Sequence, residues 1–116
     1  MTKLYTLPGT CALAPNIAAH WLNAPVEIET LERGQQKEDW YLEINPLGTI
    51  PFFDDGKAKM SESTGICHYL AETQGPTELA VRPDEAAYGE YLNWMYFSDA
   101  EAWALGRFLR TSFFLR

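Results

Sequence analysis

Two cysteines and two histidines are all that 116 residues contain of either type. That is too few for a disulfide framework, and His20 and His68 show no zinc-ligand spacing, so no metal is expected. No apolar run approaches the roughly 18 residues of a membrane-spanning helix. Met1 to Leu7 also lacks the basic start and apolar stretch of a signal peptide. A cytoplasmic, reducing location with no membrane partner is therefore the expectation. Basic side chains are scarce as well: nine Lys/Arg stand against sixteen Asp/Glu, for a net charge of −7. Arg107, Arg110 and Arg116 lie at the end, so residues 1–106 carry six basic against sixteen acidic residues, a net of −10. An acidic body of this kind argues against nucleic acid as the main partner.

What remains is globular: 47% apolar and 22% charged residues, at the size of one ordinary domain. Lys3-Leu4-Tyr5-Thr6-Leu7, bounded by Pro8-Gly9, predicts a short buried strand. A helix follows from about Cys11 or Ala12, with Leu13, Ile17, Trp21 and Leu22 as its apolar face and Asn23-Ala24-Pro25 as its stop. Pro15 fits only near its start, where backbone N–H groups lack intrahelical acceptors. Val26 to Thr30 alternates apolar and acidic residues, completing a parallel, right-handed βαβ unit.

Trp40, Tyr41 and Ile44 suggest a short helix closed by Asn45-Pro46-Leu47-Gly48. Ile50 to Phe53 then leads through the turn Asp54-Asp55-Gly56 into Ala58-Lys59-Met60. Ser61-Glu62-Ser63 opens a further helix to about Thr73, buried through Ile66, Tyr69 and Leu70. Gly75 to Pro83 reads as a linker, and Asp84 as the cap of a long helix with Tyr88, Tyr91, Leu92 and Met95 on one face. The order β-α-β, α, β-β-α describes an α/β, thioredoxin-like domain over residues 1–75. A linker at 76–83 and one long helix of an incomplete all-α domain at 84–116 would follow.

Three segments carry a resemblance to the amino-terminal domain of the glutathione transferases. Leu4 to Ala14, with its Thr10-Cys11 pair, is similar to the strand-loop-helix opening of the bacterial beta class, where a cysteine stands beside the glutathione sulfur. Asn45-Pro46-Leu47-Gly48-Thr49-Ile50-Pro51 resembles the family's loop ending in a cis-proline. Ser61 to Ile66 resembles its Glu-Ser pair opening a helix. The resemblance implies a glutathione-binding set of Thr49, Ile50, Pro51, Glu62 and Ser63, with Cys11 acting on the thiol; Thr10, whose hydroxyl could donate to the sulfur, is the backup. It implies that the Ile50 backbone pairs with the cysteinyl part of glutathione like an added strand. Without it, an ordinary trans proline would be expected at position 51.

Elementary chemistry points the same way. The opening of a helix at Ser63 presents unpaired N–H groups to a carboxylate, and Glu62 beside it suits an ammonium, together matching an α-amino acid end such as the γ-glutamyl group. The alternative is that Glu62 and Ser63 merely cap the helix. At a helix amino terminus Cys11 is favoured as a thiolate, to stabilise the glutathione thiolate or to form a mixed disulfide with it. Its alternative is an inert small residue in a tight turn. Ala14 stands where a dithiol oxidoreductase carries its second cysteine, so intramolecular disulfide chemistry is not available. Cys67 reads as core and Asp54 and Asp55 as turn residues.

The last third departs from the family, which continues into a large helical domain. In the beta class the first helix of that domain brings a histidine toward the sulfur, and here the corresponding stretch holds only Asp99, Ala100 and Glu101. Nine of the sixteen aromatics fall at Tyr88, Tyr91, Trp94, Tyr96, Phe97, Trp103, Phe108, Phe113 and Phe114: either they pack against another subunit, the homodimer expected here, or the protein is a truncated form with an exposed apolar patch. The function expected is conjugation of glutathione, as co-substrate, to a small electrophile. The rival readings are a non-catalytic glutathione-binding or assembly module and a monothiol redox protein acting through Cys11.

Overall fold

The computed structural model describes residues 1–74 and 77–102, with backbone alone at 101 and 102. The chain divides into two compact units, Met1–Ala80 and Val81–Arg116. The first is a βαβ-α-ββα unit: β1 Lys3–Thr6, α1 Leu13–Trp21, β2 Glu27–Thr30, α2 Asp39–Ile44, β3 Phe52–Asp54, β4 Lys59–Met60 and α3 Ser63–Thr73. This is the thioredoxin-like order expected. The sheet runs β2-β1-β3-β4, with β1 parallel to β2 and antiparallel to β3, and β3 antiparallel to β4.

Strand alternation sorts the core into two layers. Leu4 pairs with Phe53 and both face α1 and α3, where Ala19, Ile66 and Leu70 complete a buried cluster. Tyr5 pairs with Phe52 on the other face, packed with Leu7, Leu31 and the fully buried Tyr41 of α2. Full burial of side chains such as Phe53 and Leu4 contributes about 1.5–3 kcal/mol each. At the outer edge Lys3 Nζ meets Glu27 and Glu29 carboxylates at 3.2 and 3.1 Å, which explains the acidic face of β2.

Helix α1 turns its apolar stripe the opposite way from a core helix. Ala12, Pro15 and Ala19 are buried, while Leu13, Ile17 and Trp21 are 63, 49 and 63% exposed. Small residues at 12, 15 and 19 share one face at helical spacing and bring the backbone close to the sheet and α3. The larger residues at 13, 17 and 21 then fall on the opposite side, and only Leu22 turns back against the core. Trp21 Nε1 donates to the Glu78 carboxylate at 3.1 Å.

Asp54 ends β3, opposite Lys59 of β4, and accepts the Gly56 N–H of the turn at 2.8 Å, while Asp55 lies in the turn itself. Asp55 accepts the Ala58 and Lys57 N–H groups at 2.7 and 2.8 Å through one oxygen and the Tyr69 hydroxyl at 2.8 Å through the other. Bonding to Ala58, then to Tyr69 and Lys57, holds its carboxyl below the ordinary value of 3.8. A lowered folded-state pKa gives stabilisation that is complete above the ordinary value and lost as pH falls through the folded one. The stability gap between the parent and Asp55→Ala in urea should therefore be larger at about pH 7 than at about pH 3. Equal gaps would show that the charge of Asp55 contributes nothing.

The second unit contains α4, Tyr88–Phe97, continued by a π-helical turn at Ser98–Ala102. Asp84 does not cap it: the cap position is Ala87, and Asp84 pairs with Arg82 at 3.2 Å. The Glu85 carboxylate takes the Arg82 N–H at 2.7 Å, folding residues 82–87 into turns and delaying the helix. Tyr88, Tyr91, Leu92 and Met95 are half-buried, whereas Trp94, Tyr96 and Phe97 are exposed. Gly75 of the expected linker, and Trp103, Phe108, Phe113 and Phe114 of the aromatic set, lie outside the described residues, as do Arg107, Arg110 and Arg116.

Candidate functional site

The chain leaves β1 into a turn built around Thr10. Its hydroxyl donates to the Leu7 carbonyl at 2.6 Å and accepts the Ala12 N–H at 3.3 Å, while Leu13 N–H bonds the Thr10 carbonyl at 3.2 Å. Thr10 thus secures the opening of α1, and its hydroxyl proton is directed at Leu7. Gly9, at φ +75°, supplies the left-handed residue this reversal requires. Cys11 follows, half-buried, just ahead of the Ala12 cap.

Cys11 is where the three segments meet. Its carbonyl receives the Ser63 hydroxyl at 2.7 Å, and its thiol lies 3.7 Å from the Ile50 carbonyl oxygen, which it faces as a donor. Residues 11, 50 and 63 are far apart in sequence and are brought together by the ends of β1, β3 and α3. The Ile50–Pro51 bond is cis and Pro51 is fully buried at the start of β3.

At α3 the side chains do not act as caps. Glu62 holds the cap position with no side-chain cap bond, and its exposed carboxylate enters no ion pair among the described residues. Ser63, 9% exposed, commits its hydroxyl to Cys11. The first-turn N–H groups of α3 lack intrahelical acceptors, as at any helix start. An uncompensated carboxylate beside such donors suits a ligand carrying an ammonium and a carboxylate together.

The loop bearing Thr49 is held from α2. Tyr41, fully buried, donates its hydroxyl to the Thr49 carbonyl at 2.8 Å, and Asn45, 2% exposed, donates Nδ2 to the same oxygen at 3.0 Å. Lys37 Nζ donates to the Gly48 carbonyl at 2.9 Å. Sequence pattern marks Tyr41 only as part of a short helix and Asn45 only as part of its stop; the shared grip on the Thr49 carbonyl carries no local sequence signal. Gly48 sits at φ +57°, and a Cβ there would lie 2.9 Å from the Gln36 carbonyl oxygen and from Leu42 Cδ2. Gly48→Ala should cost roughly 2–4 kcal/mol through strain and overlap, read as an earlier urea midpoint. A midpoint within error of the parent would mean that the loop yields freely.

Other titratable groups stand apart from this cluster. Cys67, expected in the core, is half-buried, and burial pushes its thiol up to about 11. His20 is exposed, and His68 bonds Glu72 at 3.0 Å along α3. Among the described residues no group of His, Cys, Asp and Glu could hold a metal ion, and no helix is long and apolar enough to cross a membrane.

A family model for the glutathione S-transferase N-terminal domain matches residues 11–78. The chain belongs to the glutathione S-transferase family. Among curated relatives of this glutathione S-transferase-family chain, glutathione S-transferase GST-4.5 of Xanthomonas campestris pv. campestris is 30% identical over 99 residues, covering 85% of the chain and 48% of the relative. A solved glutathione transferase from Methylococcus capsulatus superposes with a TM-score of 0.76 at 28% identity, over 87% of this chain and 52% of that one. The glutathione transferase URE2P6 of Phanerochaete chrysosporium, solved in complex with oxidised glutathione, gives 0.73 at 27% identity, over 85% and 48%. The chain thus spans about half the length of these relatives. Its amino-terminal unit is the thioredoxin-like domain of the glutathione S-transferases.

Proposed function

We propose that this chain binds glutathione at the junction of Cys11, Ile50 and Ser63 and promotes attack of its thiolate on small electrophiles, in the manner of the bacterial beta class. The observation that carries the reading is the meeting of three distant segments at Cys11, through the Ser63 hydroxyl at 2.7 Å and the Ile50 carbonyl at 3.7 Å. Glu62 and the first turn of α3 would take the γ-glutamyl ammonium and carboxylate. Thr49, Ile50 and Pro51 would line the cysteinyl backbone, placing the glutathione sulfur beside Cys11. The oxidised glutathione bound to the Phanerochaete relative supports this choice of ligand. The reaction forms a sulfur–carbon bond, expels the electrophile's leaving group with its electron pair, and passes the thiol proton to solvent; positioning and thiolate stabilisation are the protein's contribution.

The test pairs affinity for immobilised glutathione with conjugation of chlorodinitrobenzene, which releases chloride. Binding and turnover above the uncatalysed rate are expected. Binding without turnover would leave a glutathione-binding module, a reading favoured by the absence of histidine from Ser98–Ala102. Exchange into a mixed disulfide without conjugation would leave a monothiol redox protein.

The same reading extends to assembly. Trp94, Tyr96 and Phe97 on α4 are 55, 68 and 50% exposed, and covering them between two chains at about 25 cal/mol per Å² would contribute several kcal/mol. A homodimer is expected by light scattering, and a stable monomer at high concentration would exclude it.

A further inference from the structure

We infer that Tyr41 and Asn45 are positioning residues for the ligand, acting by fixing the rotation of a single peptide unit. This rests on the glutathione-binding role proposed above, and extends it to side chains that do not line the junction. The Thr49–Ile50 bond is trans, so its carbonyl and its N–H point in opposite directions from one rigid plane. Tyr41 Oη and Asn45 Nδ2 both donate to that carbonyl, at 2.8 and 3.0 Å, from positions 0% and 2% exposed. Holding the oxygen toward α2 turns the Ile50 N–H away from it. That N–H is the one backbone donor the Ile50–Pro51 pair has to give, because proline carries none.

The donors are themselves held. Asn45 N–H bonds the Tyr41 carbonyl at 2.8 Å, Asn45 Oδ1 takes the Leu47 N–H at 3.3 Å, and the Asn45 carbonyl takes the Gly48 N–H at 2.9 Å. The Tyr41 ring stands edge-on to Tyr5 at 5.5 Å within the α2-side core. A peptide with one oxygen gripped by two buried donors is costly to rotate, since flipping it strands both. The consequence is pre-organisation: the Ile50 N–H waits for an acceptor carbonyl on an extended ligand rather than being ordered by it.

Tyr41→Phe removes one donor and keeps the ring, so the fold survives the test. Calorimetric titration of the full chain with two ligands separates positioning from general damage. Glutathione has a cysteinyl carbonyl to meet the Ile50 N–H; γ-glutamylcysteamine keeps the γ-glutamyl end and the thiol but lacks that carbonyl. Tyr41→Phe should weaken glutathione roughly three- to tenfold and γ-glutamylcysteamine by less than about twofold. Equal weakening of both ligands, or of neither, would overturn the assignment. If the parent chain binds no glutathione, the proposed function fails on its own, and the ligand-free amide decides the positioning role. The Ile50 N–H order parameter should then lie near 0.85 in the parent and fall toward about 0.6 in Tyr41→Phe combined with Asn45→Ser. An unchanged order parameter in both Tyr41→Phe and the double variant would overturn it.

Discussion

Glu62→Ala and Ser63→Ala should each weaken glutathione binding by about 1–3 kcal/mol, a loss of roughly five- to 150-fold, read by calorimetric titration. For Glu62 the argument is electrostatic. Its carboxylate is exposed and enters no ion pair among the described residues, so its charge contributes to the fold only through the dipole of α3, a small effect at an exposed position. Removing it should leave the melting temperature near that of the parent while deleting the counter-charge for an ammonium. Ser63 differs, because its hydroxyl ties α3 to the Cys11 carbonyl at 2.7 Å. Ser63→Ala therefore removes the bond that joins two of the three converging segments, so a modest loss of stability should accompany the loss of affinity. Parent-like affinity in both folded variants would remove the γ-glutamyl assignment.

How much of this was legible beforehand varies with the range of the interactions involved. β1, β2 and α3 announce themselves locally, through Pro8-Gly9, the alternation of Val26 to Thr30 and the Ile66/Leu70 spacing, and they fold as those signals say. The cis bond before Pro51 was readable only from the family resemblance, since local chemistry favours trans. Helix α1 was placed correctly along the chain but its inner face was not. Periodicity finds a stripe of large apolar residues, yet the packing distance to the sheet selects the small ones, Pro15 and Ala19. The grip of Tyr41 and Asn45 on Thr49 was out of reach for a similar reason: a helix-stop asparagine and a core tyrosine acquire a shared acceptor only once the loop folds back over α2. Thr10, read as a donor to sulfur, has its hydroxyl directed at Leu7, a local turn preference that competes with the functional one.

The two cysteines offer the sharpest contrast the molecule contains. Cys67 is half-buried in α3 and burial pushes its thiol up to about 11. Only the thiolate is alkylated at a useful rate, and near pH 7 an ordinary thiol at about 8.5 holds some 300 times more thiolate than one at 11. Cys11 sits at the head of α1, half-buried at the junction where glutathione is proposed to bind, so iodoacetamide should modify it faster than Cys67. Cys11→Ala should remove the fast phase and Cys67→Ala should leave it intact, which assigns the phase without recourse to the structure. Saturating S-methylglutathione, which has no thiol to consume the reagent or form a disulfide, should then slow the modification of Cys11 alone, because its sulfur would lie against that side chain. Equal labelling of the two residues with no protection would make Cys11 a structural residue of the turn and leave the proposed chemistry without its thiol partner.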